Sequence, residues 1–203
     1  MGQELSHRKE PTMSEITEAY SFGVAMKPEG KIKLYRFLLI CLYVLIPVVA
    51  IGLMMFSSNG GLFAIFGCLL CLADVILIFF TWRYVSFDYE YEIASGKLSF
   101  KKVLNAFNHR IPKPQMDFML KDCTAIEPYN NPEYPESMKK YEAAQIDKVY
   151  WGLSSTKAAD AYYALFEDAN GKKCAFLFEA TGDTLKRCKW YNKENTVVAK
   201  TRI

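Results

Sequence analysis

Three carboxylates alternate along one stretch of the chain, at Asp88, Glu90 and Glu92. Side chains two residues apart lie on the same face of a strand, and paired carboxylates can bind a cation or transfer protons. No histidine, cysteine or lysine accompanies them within residues 85–95 to ligate a metal or to activate a nucleophile. A solvated strand face explains the pattern more simply than a site does, and we favour that interpretation.

Motifs that carry known chemistry are absent from the sequence. The chain has no H-E-x-x-H, no spaced Cys/His quartet, no phosphate-loop lysine and no G-x-S-x-G, which mark zinc, nucleotide and serine-hydrolase sites. Cys68 and Cys71 form a C-x-x-C, but this pair lies in an apolar run without a cation to stabilise a thiolate. We interpret both cysteines as packing residues, and we expect no catalytic residue, no cofactor and no metal.

One formal charge, Asp74, interrupts an otherwise apolar run. Insertion of a charged residue at the bilayer centre costs about 2.5–3.5 kcal/mol of free energy. Asp74 lies seven residues before Thr81, and Tyr43 lies seven residues after Arg36. In an antiparallel helical hairpin the two would have similar depth, which predicts a hydrogen bond between Tyr43 and Asp74. The pair either joins the two helices or marks a proton, ion or partner-helix site, and we favour the first.

A basic cluster follows the apolar runs and consists of Lys101, Lys102, Arg110 and Lys113. Contact with lipid phosphates is the functional interpretation, because the inner leaflet attracts basic segments that lie next to a membrane span. Solubility is the simpler alternative. The formal net charge of the chain is only +3, which is too weak a signal for a nucleic-acid partner.

Two apolar runs, residues 37–56 and 62–80, are each long enough to cross a bilayer as a helix. A short uncharged turn joins them, so the sequence predicts a transmembrane hairpin over residues 34–82. Basic residues flank both outer ends, at Lys27, Lys31, Lys33, Arg36 and Arg83. Such residues remain on the cytoplasmic side, which predicts a cell-membrane protein with two spans and both termini in the cytoplasm.

Beyond residue 82 the spacing of the apolar residues changes from that of a helix to alternation with polar residues, which indicates strands. Residues 161–167 and 173–179 flank a turn signal and predict a hairpin, and residues 184–193 predict a helix after a capping threonine. We therefore expect a cytoplasmic α+β domain over residues 83–193, in which a bent antiparallel sheet or barrel is closed by a C-terminal helix. Residues 1–33 form an N-terminal cytoplasmic segment and residues 194–203 a tail.

Several short motifs extend this outline, namely YEYEIASGKLSF, IEPYN, Ser154-Ser155 and NGKKCAFLFEATGDTLKR. With the order of the spans, they resemble an uncharacterised family of two-span membrane proteins from Gram-positive bacteria over residues 14–193. The resemblance implies a cytoplasmic domain of pleckstrin-homology (PH) type. It implies no activity, because the shared residues form turns and strands.

Two functions fit these features. The first is a non-enzymatic, membrane-tethered binding or scaffold module that holds anionic lipid or a membrane-protein partner. The second is an accessory subunit of a transporter or membrane enzyme, which docks through the transmembrane hairpin and Asp74. The bilayer is the expected partner in both cases.

Overall fold

The structure, a computed structural model, describes residues 18–56, 60–106 and 109–199. Much of the predicted N-terminal segment, most of the turn between the apolar runs and the end of the tail lie outside these ranges. The helices are α1 (Gly30–Phe56), α2 (Gly60–Val85), α3 (Pro135–Ala143) and α4 (Gly182–Tyr191). The strands are β1 (Tyr20–Ala25), β2 (Phe87–Ala94), β3 (Lys97–Ala106), β4 (His109–Met119), β5 (Ala125–Pro128), β6 (Lys148–Trp151), β7 (Ala161–Glu167) and β8 (Lys173–Glu179).

The eight strands form two four-stranded sheets, with the orders β1-β2-β3-β4 and β5-β7-β8-β6. In the second sheet β5 and β7 are antiparallel, β7 and β8 form the predicted hairpin, and β6 runs parallel to β8. The two apolar helices, the two sheets and the C-terminal helix α4 confirm the predicted fold class. Strand β1 was not predicted, because residues 20–25 precede the spans and were assigned to the N-terminal segment.

Contacts within the chain divide it into two compact units. One unit holds residues 24–89 and 101–114, and therefore contains α1 and α2. The other holds the described residues up to 23, residues 90–100 and residues from 115 onward. Each unit is described separately below.

Helices α1 and α2 are long and apolar enough to cross a membrane. Most of their large apolar side chains are exposed, among them Phe37, Val44, Phe66 and Val75. A soluble core helix would bury such residues, so their exposure fits an environment of lipid. The helices exceed the predicted 34–82 span at both ends because polar residues such as Lys31 and Arg83 continue the helical backbone.

Polar side chains join α1 to α2 near one end of the hairpin. The Nε of Arg36 donates to the carbonyl of Val85 at 2.7 Å. The Thr81 hydroxyl donates to the Leu77 carbonyl at 2.6 Å, and the Tyr43 hydroxyl contacts Thr81 Oγ1 at 2.5 Å. Because the Thr81 proton is directed to Leu77, Tyr43 is the donor in the contact with Thr81.

The predicted hydrogen bond between Tyr43 and Asp74 is not formed. Asp74 is only 7 % exposed, and its Oδ1 has no hydrogen-bond partner among the described residues. The error has a geometric cause, because helical side chains point toward the N-terminus of their own helix. The long Tyr43 side chain therefore reaches toward the end of the hairpin that holds Thr81, although its Cα lies deeper.

Replacement of Tyr43 by phenylalanine should weaken the hairpin by about 0.6 kcal/mol, the average for an interhelical hydrogen bond in a membrane. The measurement is unfolding by titration with SDS, and Tyr35→Phe, at an exposed position, is the matched control. A double-mutant cycle should show coupling between Tyr43 and Thr81 and none between Tyr43 and Asp74. Coupling to Asp74 instead would contradict the observed arrangement.

Six aromatic rings form the core of the unit that contains residues 115 onward. Phe176 lies at the centre and is fully buried. Its ring centroid is 4.8 Å from that of Phe100 and 5.3 Å from that of Phe178. Tyr91 also contacts Phe176, and its hydroxyl donates to the carbonyl of Gly152. Phe118 stacks on Phe166 at 4.2 Å, so aromatic residues of both sheets share one core.

A buried carboxylate attaches α3 to the second sheet. Glu127 on β5 is 4 % exposed, and its Oε1 accepts from Lys140 of α3 at 2.6 Å. The Tyr163 hydroxyl on β7 lies 3.1 Å from Glu127 Oε2 and 2.9 Å from the carbonyl of Ser137. Burial alone would raise the pKa of Glu127, but these hydrogen bonds and the Lys140 charge outweigh burial and lower it. The carboxylate is therefore stabilised in its ionised form.

Helix α4 begins at a threonine cap, as predicted from the sequence. Thr181 Oγ1 accepts from the Thr184 amide at 3.1 Å, which satisfies one of the unpaired donors at the helix start. After the helix, Asn192 Nδ2 donates to the carbonyls of Leu120 and Cys123 at 2.9 and 2.7 Å. Thr196 forms an isolated parallel bridge to Ile126, so part of the predicted tail pairs with β5.

Candidate membrane-interface site

The four basic residues predicted from the sequence lie on a single pair of strands. Lys101 and Lys102 belong to β3, and Arg110 and Lys113 belong to β4. All four lie in the same compact unit as α1 and α2. Arg110 and Lys113 are exposed, whereas Lys101 and Lys102 are half-buried. We call these four residues the basic cluster.

Lys102 makes a cation–π contact with a buried aromatic ring. Its Nζ is 3.6 Å from the ring centroid of Phe87, which is 5 % exposed. The rings of Phe87 and Tyr89 make an edge-to-face contact, with the centroids 5.5 Å apart. Attraction between the ammonium and the face of the ring restricts where the charge lies. Because Phe87 begins β2 only two residues after α2 ends at Val85, Lys102 is held beside the end of that helix.

The pKa of Lys102 is lowered, first by burial and second by the charge of Lys113. A second ammonium nearby disfavours the protonated form, and an anion nearby favours it. An anionic group bound to both lysines would therefore offset their mutual repulsion.

A polar contact fixes the strands that carry Lys102 and Phe87. Asn105 Nδ2 on β3 donates to Asp88 Oδ2 on β2 at 2.7 Å. The Asn105 amide donates to the carbonyl of Ser86 at 3.0 Å. Since Ser86 is the one residue between α2 and β2, β3 is joined directly to the chain segment that leaves the helix. The contact also gives Asp88 a role as a hydrogen-bond acceptor.

A further cation and two aromatic rings lie at the end of α2. The Arg83 guanidinium is 5.0 Å from the ring centroid of Tyr84 and 5.5 Å from that of Phe80. Its Nη2 donates to the Tyr84 hydroxyl at 3.1 Å, and Tyr84 and Phe80 are exposed. Aromatic and basic residues concentrate at the membrane–water boundary, which is the arrangement expected where α2 leaves the hydrocarbon.

The other predicted site, Asp74 with Tyr43, is not assembled as a pair. Asp74 is spaced seven residues from Thr81 and from Gly67. Thr81 contacts Tyr43, and a Cβ built on Gly67 would meet the Met54 side chain. Both neighbours therefore face α1, and so does Asp74. A carboxyl buried between α1 and α2 is not displayed to a partner helix.

Sequence reasoning missed Phe87 as a member of the site. In the sequence, Phe87 is recognisable only as one of the apolar residues of an alternating strand. Its pairing with Lys102 depends on the register of β2 and β3, which a single sequence does not encode locally. The available signal was the position of an aromatic residue immediately after a span, where an interfacial role is common.

A family model described as "Bacterial PH-like domain (DUF6106)" matches residues 18–198. The match includes both apolar helices, both sheets and α4. No curated protein and no solved structure matches the chain.

Proposed function

The chain belongs to the family of bacterial PH-like domains, and from that premise we propose that it is a non-enzymatic binding module tethered to the cell membrane. In this proposal α1 and α2 span the bilayer, both termini are cytoplasmic, and the domain binds anionic lipid at the inner leaflet. The partners are the bilayer and its acidic headgroups, and nucleic acid is not among them.

The observation that carries the proposal is the position of Lys102 on Phe87 next to the end of α2. Only Ser86 separates that helix from β2, so a helix that spans the bilayer would bring the start of this strand close to the membrane surface. Lys113 is close enough to lower the pKa of Lys102, and a headgroup phosphate would neutralise both. Lys31 and Lys33, at the start of α1, support the same cytoplasmic orientation, because positively charged residues next to a span favour the cytoplasmic side.

A lipid-retention experiment tests the basic cluster. The wild-type protein and the double variant Lys102→Gln/Lys113→Gln are purified in mild detergent, and bound phosphatidylglycerol is counted by native mass spectrometry. Each basic residue near an anionic surface contributes about 1 kcal/mol, so the double variant should lose about 2 kcal/mol, roughly thirtyfold in affinity.

Lys172→Gln/Lys173→Gln is the matched control, because both lysines are exposed at the turn between β7 and β8. It removes the same charge and should leave lipid retention unchanged. Equal retention by wild type and Lys102→Gln/Lys113→Gln would contradict the proposal. A parallel loss in both double variants would show that total charge, and not the basic cluster, attracts the lipid.

An accessory subunit is the second candidate. The observation that favours it is the largely exposed apolar surface of α1 and α2, which another membrane protein could cover. Because Asp74 faces α1, docking would use these outer apolar faces and not Asp74. The test is crosslinking in native membranes. A membrane protein crosslinked in a one-to-one ratio would support this candidate, and the absence of any such neighbour would contradict it.

A further inference from the structure

An exposed tryptophan lies on the C-terminal helix α4, on the side away from the core. Leu185 and Cys188 face the core and are fully buried. At 3.6 residues per turn, Trp190 lies on the opposite side of the helix, where it is 51 % exposed. Tryptophan is highly buried on average in folded proteins, and a soluble surface carries few exposed tryptophans beyond those that function needs. The outer side of α4 is therefore a candidate contact surface.

Lysines accompany Trp190 on this side of the helix. Residues three and four apart are neighbours on a helix surface, so Lys186 lies next to both Lys189 and Trp190. Lys193 follows Trp190 by three residues, just beyond the end of α4. All three lysines are exposed. We call Lys186, Lys189, Trp190 and Lys193 the α4 outer face.

Acidic side chains neutralise only part of the positive charge of the α4 outer face. Lys186 Nζ lies 2.7 Å from Asp183 Oδ1, in an exposed ion pair. Lys189 and Lys193 form no ion pair with any residue in the described part of the chain. Residues 182–194 contain four basic and two acidic side chains, which leaves two positive charges by subtraction. The α4 outer face would therefore attract an anionic surface.

The composition of the α4 outer face distinguishes between two kinds of anionic partner. Interfaces between proteins are enriched in tryptophan but depleted in lysine. The boundary between lipid and water is enriched in both, because an indole lies among the headgroups while a lysine stem covers apolar surface and keeps its ammonium in water. Helices that lie on membranes combine the same two residue types. Trp190 with its lysines therefore matches an anionic lipid surface better than an acidic protein.

The covalent chain keeps α4 within reach of a bilayer that α1 spans. The Arg187 guanidinium lies 5.0 Å from the ring centroid of Tyr20, and its Nη1 donates to the carbonyl of Glu18 at 2.8 Å. The hydroxyl of Tyr20 also contacts Thr181 Oγ1 at 2.9 Å. Tyr20 precedes Gly30, the first residue of α1, by ten residues, and ten extended residues cover at most about 35 Å. A lipid surface is therefore always available to α4 at short range.

We propose that the α4 outer face docks on the anionic leaflet, with the Trp190 indole among the headgroups and the lysines next to the phosphates. This inference rests on the proposed membrane tether, but it does not rest on the basic cluster, with which it shares no residue. The protein would then contact the leaflet through a second surface. Its docking at the membrane would depend on the content of anionic lipid.

Quenching of tryptophan fluorescence by brominated lipid tests the proposal in the full-length protein. The chain has three tryptophans, so three variants each keep one of them and carry phenylalanine at the other two positions. The nanodiscs contain phosphatidylcholine brominated near the headgroup end of the acyl chain, with or without phosphatidylglycerol. Trp190 should be quenched when phosphatidylglycerol is present and much less when it is absent. Trp151, which is also exposed but lies on β6, is the matched control and should not be quenched.

The third variant separates a failure of this proposal from a failure of the membrane tether. Trp82 belongs to α2, so it should be quenched with either lipid. Quenching of Trp82 without quenching of Trp190 would overturn the docking of α4 and leave the tether intact. Absence of quenching at Trp82 would contradict the tether, and the docking proposal with it. Equal quenching of Trp151 and Trp190 would also overturn the docking of α4.

Charge variants of the protein that keeps only Trp190 make the test specific. Lys189→Gln/Lys193→Gln should lower the ratio of docked to undocked protein roughly thirtyfold, so quenching should require more phosphatidylglycerol. Lys172→Gln/Lys173→Gln removes the same charge at the turn between β7 and β8 and should not change the quenching. Equal quenching in the two double variants at every phosphatidylglycerol content would overturn the proposal. A blue-shifted Trp190 emission that bromine does not quench would indicate a protein partner and would overturn it as well.

Discussion

Replacement of Phe176 by alanine should lower the stability of the unit that contains residues 115 onward by about 3–5 kcal/mol, the usual cost of a phenylalanine deleted from a core. Phe176 is fully buried and its ring contacts those of Phe100, Phe178 and Tyr91, so the cavity would lie within this aromatic core. Domains of this size are stable by about 5–15 kcal/mol. The variant should therefore unfold at a much lower urea concentration, measured by tryptophan fluorescence in detergent.

Val149→Ala is the control for this experiment. Val149 lies on the adjacent strand β6, and it is exposed, so the same kind of truncation should shift the urea midpoint little. Equal midpoints for Phe176→Ala and Val149→Ala would show that Phe176 is not part of the core. The far-ultraviolet signal of α1 and α2 should persist, because no residue of either helix is altered.

The second large loss of stability is expected from Lys140→Met. The change leaves the Glu127 carboxylate buried without its ammonium partner. Breaking a buried pair costs about 3–5 kcal/mol. We expect about 2 kcal/mol here, because the Lys140 side chain is 62 % exposed and solvent weakens such pairs. The measurement is the free energy of unfolding at pH 7, and Lys139→Met, at a neighbouring exposed position on α3, is the control.

The same pair predicts a dependence of stability on pH. The pKa of Glu127 is lowered in the folded state, so its contribution is present above the unfolded pKa of about 4.3. It is lost as the pH falls through the folded value, because the carboxyl then takes up a proton. The difference between wild type and Lys140→Met should therefore shrink in acid. A difference that stays constant from pH 7 to pH 3 would contradict the ion pair.

Local patterns predicted the elements whose signals are complete within a few residues. Strands β7 and β8 lie at the predicted residues 161–167 and 173–179. The turn between them is fixed by Asp168, whose Oδ1 accepts from the amides of Asn170 and Lys172. The apolar runs identified α1 and α2 but not their ends. The length of an apolar run reflects the thickness of the bilayer, and a helical backbone can continue into polar residues beyond it.

Features that depend on distant residues were not predictable. Pro112 and Pro114 are compatible with either a loop or a short edge strand, and both lie in β4. This strand is at the edge of its sheet, where a missing amide is tolerated. Nothing in the sequence around Glu127 shows its role, because its partners are 13 and 36 residues away. Likewise, Phe87 and Lys102 meet only through the register of two strands.

The most direct test of the account is a contact between the basic cluster and the headgroups of the bilayer. A photo-crosslinking amino acid at Ile111, an exposed position on β4 between Arg110 and Lys113, would be irradiated in nanodiscs with and without phosphatidylglycerol. The account predicts crosslinks to lipid that increase with phosphatidylglycerol and decrease in Lys102→Gln/Lys113→Gln. A crosslinking yield unchanged by both the lipid and the variant would contradict a binding module at an anionic leaflet.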